Sequence, residues 1–457
     1  MAADNNPDNT LIESRDQLVA ALEAGCKPRE RWRVGTEHEK FGFHVKDFSP
    51  VAYDGPAGIR QLLETMAGLL GWQIVEESGQ PIALIDPVGL GAITLEPGGQ
   101  FELSGAPLET IHQTCRELNA HLAQLRECAD PLDIAFLGVG FSPLWTLAET
   151  PMMPKQRYRI MREYMPKVGT HGLDMMFRTC TVQANLDFGD EADMRRKMQV
   201  AMALQPVATA LFANSPFTEG LPNGYQSYRA EMWRHTDPDR TGILPFVFDE
   251  GFGFERYVDW ALSVPLYFVR RNGVYHNAAG AMFQDLIDGK LAVVPGERAT
   301  IADWHDHLST LFPEVRLKHF MEVRGADAGP WRRVCALPAL WVGLLYEPDI
   351  LDAASELIRG WTAETVVDLR DRVPKTGLAT PIGDETVLDV ARRVVALASD
   401  GLRRRARYSE NGADERIYIK ALEETVERGQ SPADRLLAEY RDEWHGDVTE
   451  IFRRYAY

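Results

Sequence analysis

The chain has 457 residues, of which 45% are hydrophobic and 25% are charged, an ordinary composition for a folded protein with a large core. Its formal net charge of −18 argues against a general nucleic-acid or anionic-membrane partner, because both favour basic surfaces. No apolar run approaches the roughly 20 residues of a membrane helix. The five cysteines form no CxxC pattern, and the acidic N-terminus lacks a targeting signal, so we expect a cytoplasmic protein without a zinc site.

Capping and turn residues predict the first elements. Ser14 and Gln17 match a capping box at the start of a helix, and Gly71 ends a second helix. Short strand-like runs follow as far as residue 103. Pro97-Gly98-Gly99 interrupts the last of these runs and predicts a hairpin or a sharp bend.

Two periodic segments occupy the next part of the chain. Apolar residues at alternating spacings of three and four over 108–125 predict an amphipathic helix with Cys115 on its apolar face. Residues 178–188 alternate as a strand, in which a core stripe lies opposite the polar residues Thr181, Gln183, Asn185 and Asp187. Such a polar stripe commonly faces solvent, and the alternative is that it lines a polar cavity.

The remaining elements indicate an α+β fold. A long helix is predicted over 190–212, a shorter one over 225–235, and a hairpin at Asn272-Gly273. Helical patterns dominate after residue 330. We therefore predict a single domain over 1–457, with a sheet-rich part at about 10–346 and a helical part at about 347–457.

Glutamates inside apolar strand segments are the main functional signal. Glu37 and Glu39 project from one face of their strand, with His38 on the other. Glu96 and Glu102 lie in a second apolar segment, and Glu322 lies beside Arg324 in a third. Carboxylates seldom occupy interior sheet positions unless cations neutralise them. Taken singly, each is more often a surface or ion-paired residue, but together with an arginine they indicate a Mg²⁺–nucleotide site.

Three further residues have two interpretations each. Arg229 and Trp233, one helical turn apart, suit recognition of a small carboxylate, although this spacing is often only a surface cation–π contact. Arg324 is either a structural partner of Glu322 or the group that stabilises charge on a transferring phosphate.

The sequence contains no GxxxxGK[ST] loop, so any ATP would be held through metal ions and side chains.

Five segments resemble the plant-type family of glutamate–cysteine ligases. They are GTEHEKFGF (35–43), ITLEPGGQFELSG (93–105), TVQANLDF (181–188), GYQSYRAEMWRHTDPDRTG (224–242) and LKHFMEVRGADAGPWRRVCALPALWVGLLY (317–346). The resemblance implies a glutamine-synthetase-like fold, in which helices surround a cupped antiparallel sheet. It also implies ATP-dependent ligation of the glutamate γ-carboxylate to the cysteine amine through a γ-glutamyl phosphate, the first step of glutathione synthesis.

The resemblance also implies roles for individual residues. Metal-binding positions match Glu37, Glu39, Glu96, Glu102 and Glu322, which would hold about two or three Mg²⁺ ions. Arg324, with Glu322, matches the catalytic E-x-R motif, and Arg229 and Trp233 match the glutamate-binding helix. Gln183 and Asn185 match a strand that borders the active site and are candidate substrate-binding residues.

Several alternatives remain open at the level of sequence. Cys115 and Cys335 match a plant-type pair, so they form either a regulatory disulfide or two buried thiols in a reducing compartment. The expected partners are glutamate, cysteine and ATP, with no nucleic acid or membrane, acting on a monomer or weak homodimer. The competing functions are an ATP-dependent ligase or kinase that uses another amine, and a non-catalytic metal-binding protein.

Overall fold

The computed structural model describes residues 8–457, and the first seven residues, on which the prediction about targeting signals partly rests, lie outside the described part. The α-helices, in chain order, are α1 (Arg15–Glu23), α2 (Ile59–Leu70), α3 (Ile111–Ala129), α4 (Gln156–Val168), α5 (Gly172–Arg178), α6 (Glu191–Phe212), α7 (Tyr228–Arg234), α8 (Phe254–Ser263), α9 (Phe283–Ile287), α10 (Ile301–Ser309), α11 (Trp331–Leu345), α12 (Pro348–Leu357), α13 (Ala363–Thr376), α14 (Val387–Arg405), α15 (Lys420–Arg428), α16 (Pro432–Asp442) and α17 (Glu450–Tyr455).

The β-strands include those of one large sheet and several short pairs. In chain order they are β1 (Val34–His44), β2 (Gln73–Glu77), β3 (Gln80–Ile85), β4 (Ala92–Leu95), β5 (Phe101–Ser104), β6 (Ile134–Leu137), β7 (Thr181–Leu186), β8 (Phe217–Thr218), β9 (Leu221–Pro222), β10 (Thr241–Gly242), β11 (Phe268–Arg271), β12 (Val274–Asn277), β13 (Phe312–Pro313), β14 (Val315–Leu317), β15 (Met321–Asp327), β16 (Pro381–Ile382) and β17 (Glu385–Thr386).

The large sheet has the strand order β14-β15-β7-β1-β5-β4-β3-β2, and β6 pairs with β1 off this path. All of these pairings are antiparallel. The first half of β1 lies between β5 and β7, and its second half pairs with β6. The sheet is therefore built from segments that are far apart in sequence, with β1 at its centre. The predicted α+β fold with an antiparallel sheet is confirmed.

One face of the sheet packs on helices and forms the main core. The predicted apolar stripe of β7 is fully buried at Val182, Ala184 and Leu186, within the core that includes α6 and α11. Helix α14, in the helical C-terminal part, packs directly on α11. A Cβ on Gly343 would lie 2.3 Å from Ala398 O, so this close approach requires glycine. The helices after residue 347 thus share a core with the sheet-bearing part. That residues 1–457 form a single domain stays a prediction.

Local predictions from turn chemistry agree with the structure. Ser14 and Gln17 form the capping box of α1, and Gly71 ends α2 in the left-handed region at φ +68°. Asn272 (φ +51°) and Gly273 (φ +79°) form the turn between β11 and β12. Within residues 8–457, no single helix has the length and apolar composition of a membrane span, although α11 and α12, bent by 94°, meet both criteria as a pair.

Candidate active site

The predicted site residues of four strands share one face of the sheet. Directly opposed residues of an antiparallel pair point to the same face. Glu37 is opposite Gln183, Glu39 is opposite Glu102, and Glu322 is opposite Asn185. The strand register therefore brings together the side chains that the sequence placed in separate segments.

The polar stripe of β7 lines an interior surface and does not face solvent. Thr181, Gln183 and Asp187 are each at most 5% exposed. The Thr181 amide donates to Glu39 Oε2 at 2.9 Å, and Asn185 Nδ2 donates to Glu37 Oε1 at 3.0 Å. Of the two interpretations that the sequence left open, the polar cavity is the one that the structure supports.

Glu39, Glu96 and Glu102 form a group of carboxylates at one end of this face. Glu96 lies in the hairpin turn between β4 and β5 and not within a strand, and its amide donates to Gln100 O at 2.9 Å. In that turn Gly99 has φ +83°, and a Cβ on Gly98 would lie 2.2 Å from Phe177 O. Both glycines of the predicted turn are therefore required.

The electrostatics of this carboxylate group favour a bound cation. Burial, followed by repulsion from Glu96 and Glu102, raises the pKa of Glu39 well above its usual value. Burial and repulsion from Glu102 raise the pKa of Glu96 to about 7. Glu102 accepts hydrogen bonds from Thr94 Oγ1 and Ser104 Oγ, both at 2.8 Å. In the part of the chain that the structure describes, no three His, Cys, Asp or Glu side chains are arranged closely enough to hold a metal ion without side-chain movement.

Glu322 contacts Arg324, as one of the two interpretations of the sequence predicted, and it also contacts two cations that were not predicted. Its carboxylate accepts two hydrogen bonds from the Arg316 guanidinium (2.7 and 2.9 Å), one from Lys318 Nζ (3.2 Å) and one from Arg324 Nη1 (2.8 Å). The side chain is fully buried. Burial opposes ionisation, but the charges of Arg316, Lys318 and Arg324 hold the pKa of Glu322 well below its usual value. Glu322 here anchors Arg324, and a role as metal ligand stays a prediction that requires one of these cations to be displaced.

Removing the Glu322 charge is expected to destabilise the fold. Glu322→Gln leaves three cationic side chains around a neutral amide and should lower the free energy of unfolding at pH 7 by about 3–5 kcal/mol. Because the folded pKa is depressed, wild-type protein loses this contribution as pH falls below about 4.5, so the difference should shrink there. Urea unfolding measures both effects.

The matched control is Glu297→Gln, which removes a half-exposed partner of Arg271. This control should cost less than about 1 kcal/mol. A Glu322→Gln protein as stable as wild type at pH 7 would contradict the assignment of Glu322 as a buried ionic anchor.

Two arginines flank the indole of Trp233. The guanidinium carbons of Arg229 and Arg324 lie 5.8 and 5.9 Å from the ring centroid. Arg229 Nη2 donates to Arg324 O at 2.8 Å, and Arg324 Nη1 donates to Gln183 Oε1 at 2.6 Å. Because Arg229 is only 3% exposed, its contact with Trp233 is not a helix-surface cation–π pair. Among residues 8–457, the Arg229 guanidinium bonds a backbone carbonyl and no carboxylate forms an ion pair with it, so its charge is available for a ligand.

Sequence reasoning missed Arg157 and its neighbours at the start of α4. Arg157 lines the same cavity of about 70 Å³ as Glu39, Glu96, Arg229 and Arg324. Its Nε has no hydrogen-bond partner in the described part of the chain. A basic cluster after Pro154 in an otherwise acidic protein was the available signal, since Lys155, Arg157 and Arg159 fall within five residues.

Lys155 and Tyr158 hold this segment against the acidic hairpin. Lys155 Nζ and Tyr158 Oη both donate to Leu95 O, at 2.8 and 2.6 Å. Burial and the charge of Arg157 lower the pKa of Lys155 to about 8. The cavity thus combines carboxylates with guanidinium groups, which suits binding of a cation together with anionic substrates.

The family model for glutamate–cysteine ligase family 2 (GCS2) matches residues 33–454. The chain belongs to this family. The chain is 54% identical over 444 residues to the chloroplastic glutamate–cysteine ligase of Brassica juncea, covering 97% of this chain and 84% of the relative. The chloroplastic enzyme of Arabidopsis thaliana is 53% identical, with 97% and 83% covered.

A solved structure is similar in fold. The glutamate–cysteine ligase of Francisella tularensis in complex with AMP aligns with a TM-score of 0.52 and 12% identity, covering 93% of this chain and 88% of that one. At this identity the likeness concerns the fold alone. The family resemblance seen in the sequence motifs is confirmed by the family model and the plant relatives together.

The two cysteines of the implied pair are joined. Cys115 of α3 and Cys335 of α11 form a disulfide with a Cα–Cα distance of 5.7 Å and a sequence separation of 220 residues. Both are buried on the helix-covered face of the sheet, opposite the candidate site. The structure therefore agrees with the bonded alternative, while a regulatory role stays a prediction.

Proposed function

We propose that this member of the glutamate–cysteine ligase family joins the γ-carboxylate of glutamate to the amine of cysteine with hydrolysis of ATP to ADP and phosphate. The observation that carries the proposal is the cavity in which Glu39 and Glu96 face Arg229 and Arg324. A carboxylate is a poor acylating agent, because hydroxide would have to leave. Transfer of the γ-phosphoryl group of ATP to the carboxylate gives γ-glutamyl phosphate, from which phosphate leaves when the amine attacks.

The guanidinium groups have distinct roles in this proposal. Arg229 binds a carboxylate of glutamate, with Trp233 as the apolar wall beside it and Arg157 as a second cationic donor. Arg324 is held by Glu322 and Gln183 and stabilises the charge on the transferring phosphoryl oxygens. Asn185 fixes the orientation of Glu37 through its hydrogen bond.

The carboxylates suit a divalent cation. Glu37, Glu39, Glu96 and Glu102 supply the hard oxygen donors that Mg²⁺ prefers. Burial, followed by repulsion from Glu102, raises the pKa of Glu96, and a bound cation would offset both effects. When bound, Mg²⁺ would neutralise charge on ATP and on the γ-carboxylate. We propose that these carboxylates hold about two or three Mg²⁺ ions.

Mg²⁺ should stabilise the protein in a pH-dependent way. At pH 8 the pKa of about 7 leaves Glu96 ionised, so millimolar Mg²⁺ should raise Tm by on the order of 2 °C or more. At pH 5.5 protonation of Glu96 should reduce this shift. Thermal unfolding by circular dichroism, with sodium sulfate at equal ionic strength as control, measures it. An equal shift at both pH values, or in Glu96→Gln, would oppose a metal role for this residue.

The activity itself is tested with a panel of amines. Purified protein with ATP, Mg²⁺ and glutamate should release ADP faster when cysteine is added than with any other amine, and mass spectrometry should find a γ-linked dipeptide. Greater stimulation by another amine would favour the alternative ligase or kinase. Absence of ADP release under all conditions would favour a non-catalytic metal-binding protein.

The cellular setting belongs to the same proposal. We propose that the protein acts in the cytoplasm on small-molecule substrates, as a monomer or weak homodimer, without a nucleic-acid or membrane partner. The net charge of −18 supports the absence of a nucleic-acid or anionic-membrane partner, because polyanionic surfaces repel an acidic protein. Size-exclusion chromatography coupled to light scattering tests the oligomeric state.

A further inference from the structure

Asp327, the last residue of β15, is a buried carboxylate with no assigned role. It is 1% exposed. Its Oδ2 accepts from the Asn214 amide at 2.8 Å and from Ser215 Oγ at 2.7 Å, and its Oδ1 accepts from Ser227 Oγ at 2.7 Å. Three short hydrogen bonds to one charged group are stronger than neutral ones, so this carboxylate fixes its partners firmly.

The two serines pass this constraint to helix α7. A hydroxyl donates a single hydrogen bond, and here both donate to Asp327, which leaves their lone pairs to accept. Ser227 Oγ caps α7 by accepting from the Ala230 amide, and Ser215 Oγ accepts from the Arg229 amide, both at 3.2 Å. The carboxylate thus determines which way both hydroxyls face.

Helix α7 carries Arg229 into the cavity. Arg229 Nη2 donates to Arg324 O, and Arg324 lies on β15 three residues before Asp327. The same strand therefore holds the backbone of Arg229 at one point and its guanidinium at another. Arg229 Nε has no hydrogen-bond partner within residues 8–457, so no hydrogen bond holds the side chain from that side.

We propose that Asp327 is a positioning residue for glutamate recognition, acting through Ser215 and Ser227 to hold Arg229 where it meets the substrate carboxylate. This inference rests on the proposed function, because it takes Arg229 as the glutamate-binding group. It is not a catalytic role, since Asp327 contacts Asn214, Ser215 and Ser227 and does not line the cavity.

Steady-state kinetics distinguish positioning from general stability. Asp327→Asn keeps the size of the side chain but removes its charge and places a donor where only acceptors fit. It should raise KM for glutamate by about 10- to 100-fold, the range expected when a hydrogen bond to a charged group is lost. KM for ATP should change by less than about twofold. Ser227→Ala, a milder change, should shift KM for glutamate in the same direction.

A double-mutant cycle shows whether the effect passes through Arg229. Asp327→Asn and Ser227→Ala should each add less than about threefold to the glutamate KM of Arg229→Ala, because the group they position is gone. Full additivity would overturn the inference. If Asp327→Asn does not fold, the cycle with Ser227→Ala decides the question.

Asp303 provides the matched control. It is buried, accepts from Thr300 Oγ1 and pairs with Arg271, but it lies at the start of α10 and does not line the cavity. Asp303→Asn should lower Tm and leave KM for glutamate unchanged. An equal rise in KM in both variants would mean that Asp327 acts only on stability.

The inference and the proposed function fail separately. The rise in Tm on addition of glutamate measures glutamate binding without turnover. The role of Asp327 in glutamate binding can therefore be tested even if the protein prefers an amine other than cysteine. Wild type that binds glutamate while Asp327→Asn and Ser227→Ala bind it equally well overturns the inference alone. Wild type that neither binds glutamate nor releases ADP overturns both.

Discussion

Replacing Arg324 with lysine should lower kcat by on the order of 10³-fold, because a point charge cannot replace the planar guanidinium at a transferring phosphoryl group. In the structure Arg324 Nη1 contacts both Glu322 and Gln183, which fixes the plane of the guanidinium. Lysine retains the charge that Glu322 requires, so the protein should remain folded. Stopped-flow or coupled assays of ADP release measure kcat, and circular dichroism measures the fold.

The control for Arg324→Lys is the same substitution at Arg271, which pairs with Asp303 outside the cavity. That variant should keep full activity. If Arg324→Lys retains kcat within about tenfold of wild type, the arginine is a structural partner of Glu322 and not a group that stabilises the transition state.

Replacing Glu96 with glutamine should have opposite effects on activity and stability. Loss of one metal-binding charge should lower kcat by at least about 10²-fold. Without Mg²⁺ at pH 8, the variant should nevertheless be more stable than wild type by about 3 kcal/mol, since the raised pKa of Glu96 makes ionisation in the folded state unfavourable. That penalty develops between about pH 4.5 and pH 7, so the two proteins should be equally stable at pH 4.

Glu117→Gln is a closely matched control for Glu96→Gln. Burial also raises the pKa of Glu117 to about 7, but this residue accepts from the Ala106 amide on the helix-covered side of the sheet. Its substitution should show the same pH-dependent stability and keep full turnover. Glu96→Gln with wild-type kcat would remove this residue from the proposed metal site.

The sequence predicted the candidate site best where strand periodicity alone decides the face. Alternation puts Glu37 and Glu39 on one face of their strand, and Gln183 and Asn185 on one face of theirs, whichever strands pair with them. The antiparallel register of β1 with β7 then aligns the two rows, which requires only that both strands enter one sheet. The hairpin turn at residues 97–99 could also be predicted from local sequence, because the glycines that the turn requires are visible there.

Two of the three cationic partners of Glu322, Arg316 and Lys318, could not be predicted from local pattern. Arg316 reaches it through the register of β14 with β15, and Lys318 through the turn between those strands. Arg157 reaches the cavity only because α4 packs on the hairpin that carries Glu96. These contacts depend on tertiary packing, which a single sequence expresses weakly. The pairing of Cys115 with Cys335 also joins distant helices, and only the family resemblance indicated it.

The most direct test of the central claim is a crystal structure with Mn²⁺ in place of Mg²⁺, together with ADP and glutamate, in which anomalous scattering locates the metal. The account predicts anomalous peaks within about 2.2 Å of carboxylate oxygens from Glu37, Glu39 or Glu96, with the ADP β-phosphate in the same coordination shell. Metal found only at surface carboxylates, with this cavity empty of metal and nucleotide, would contradict it.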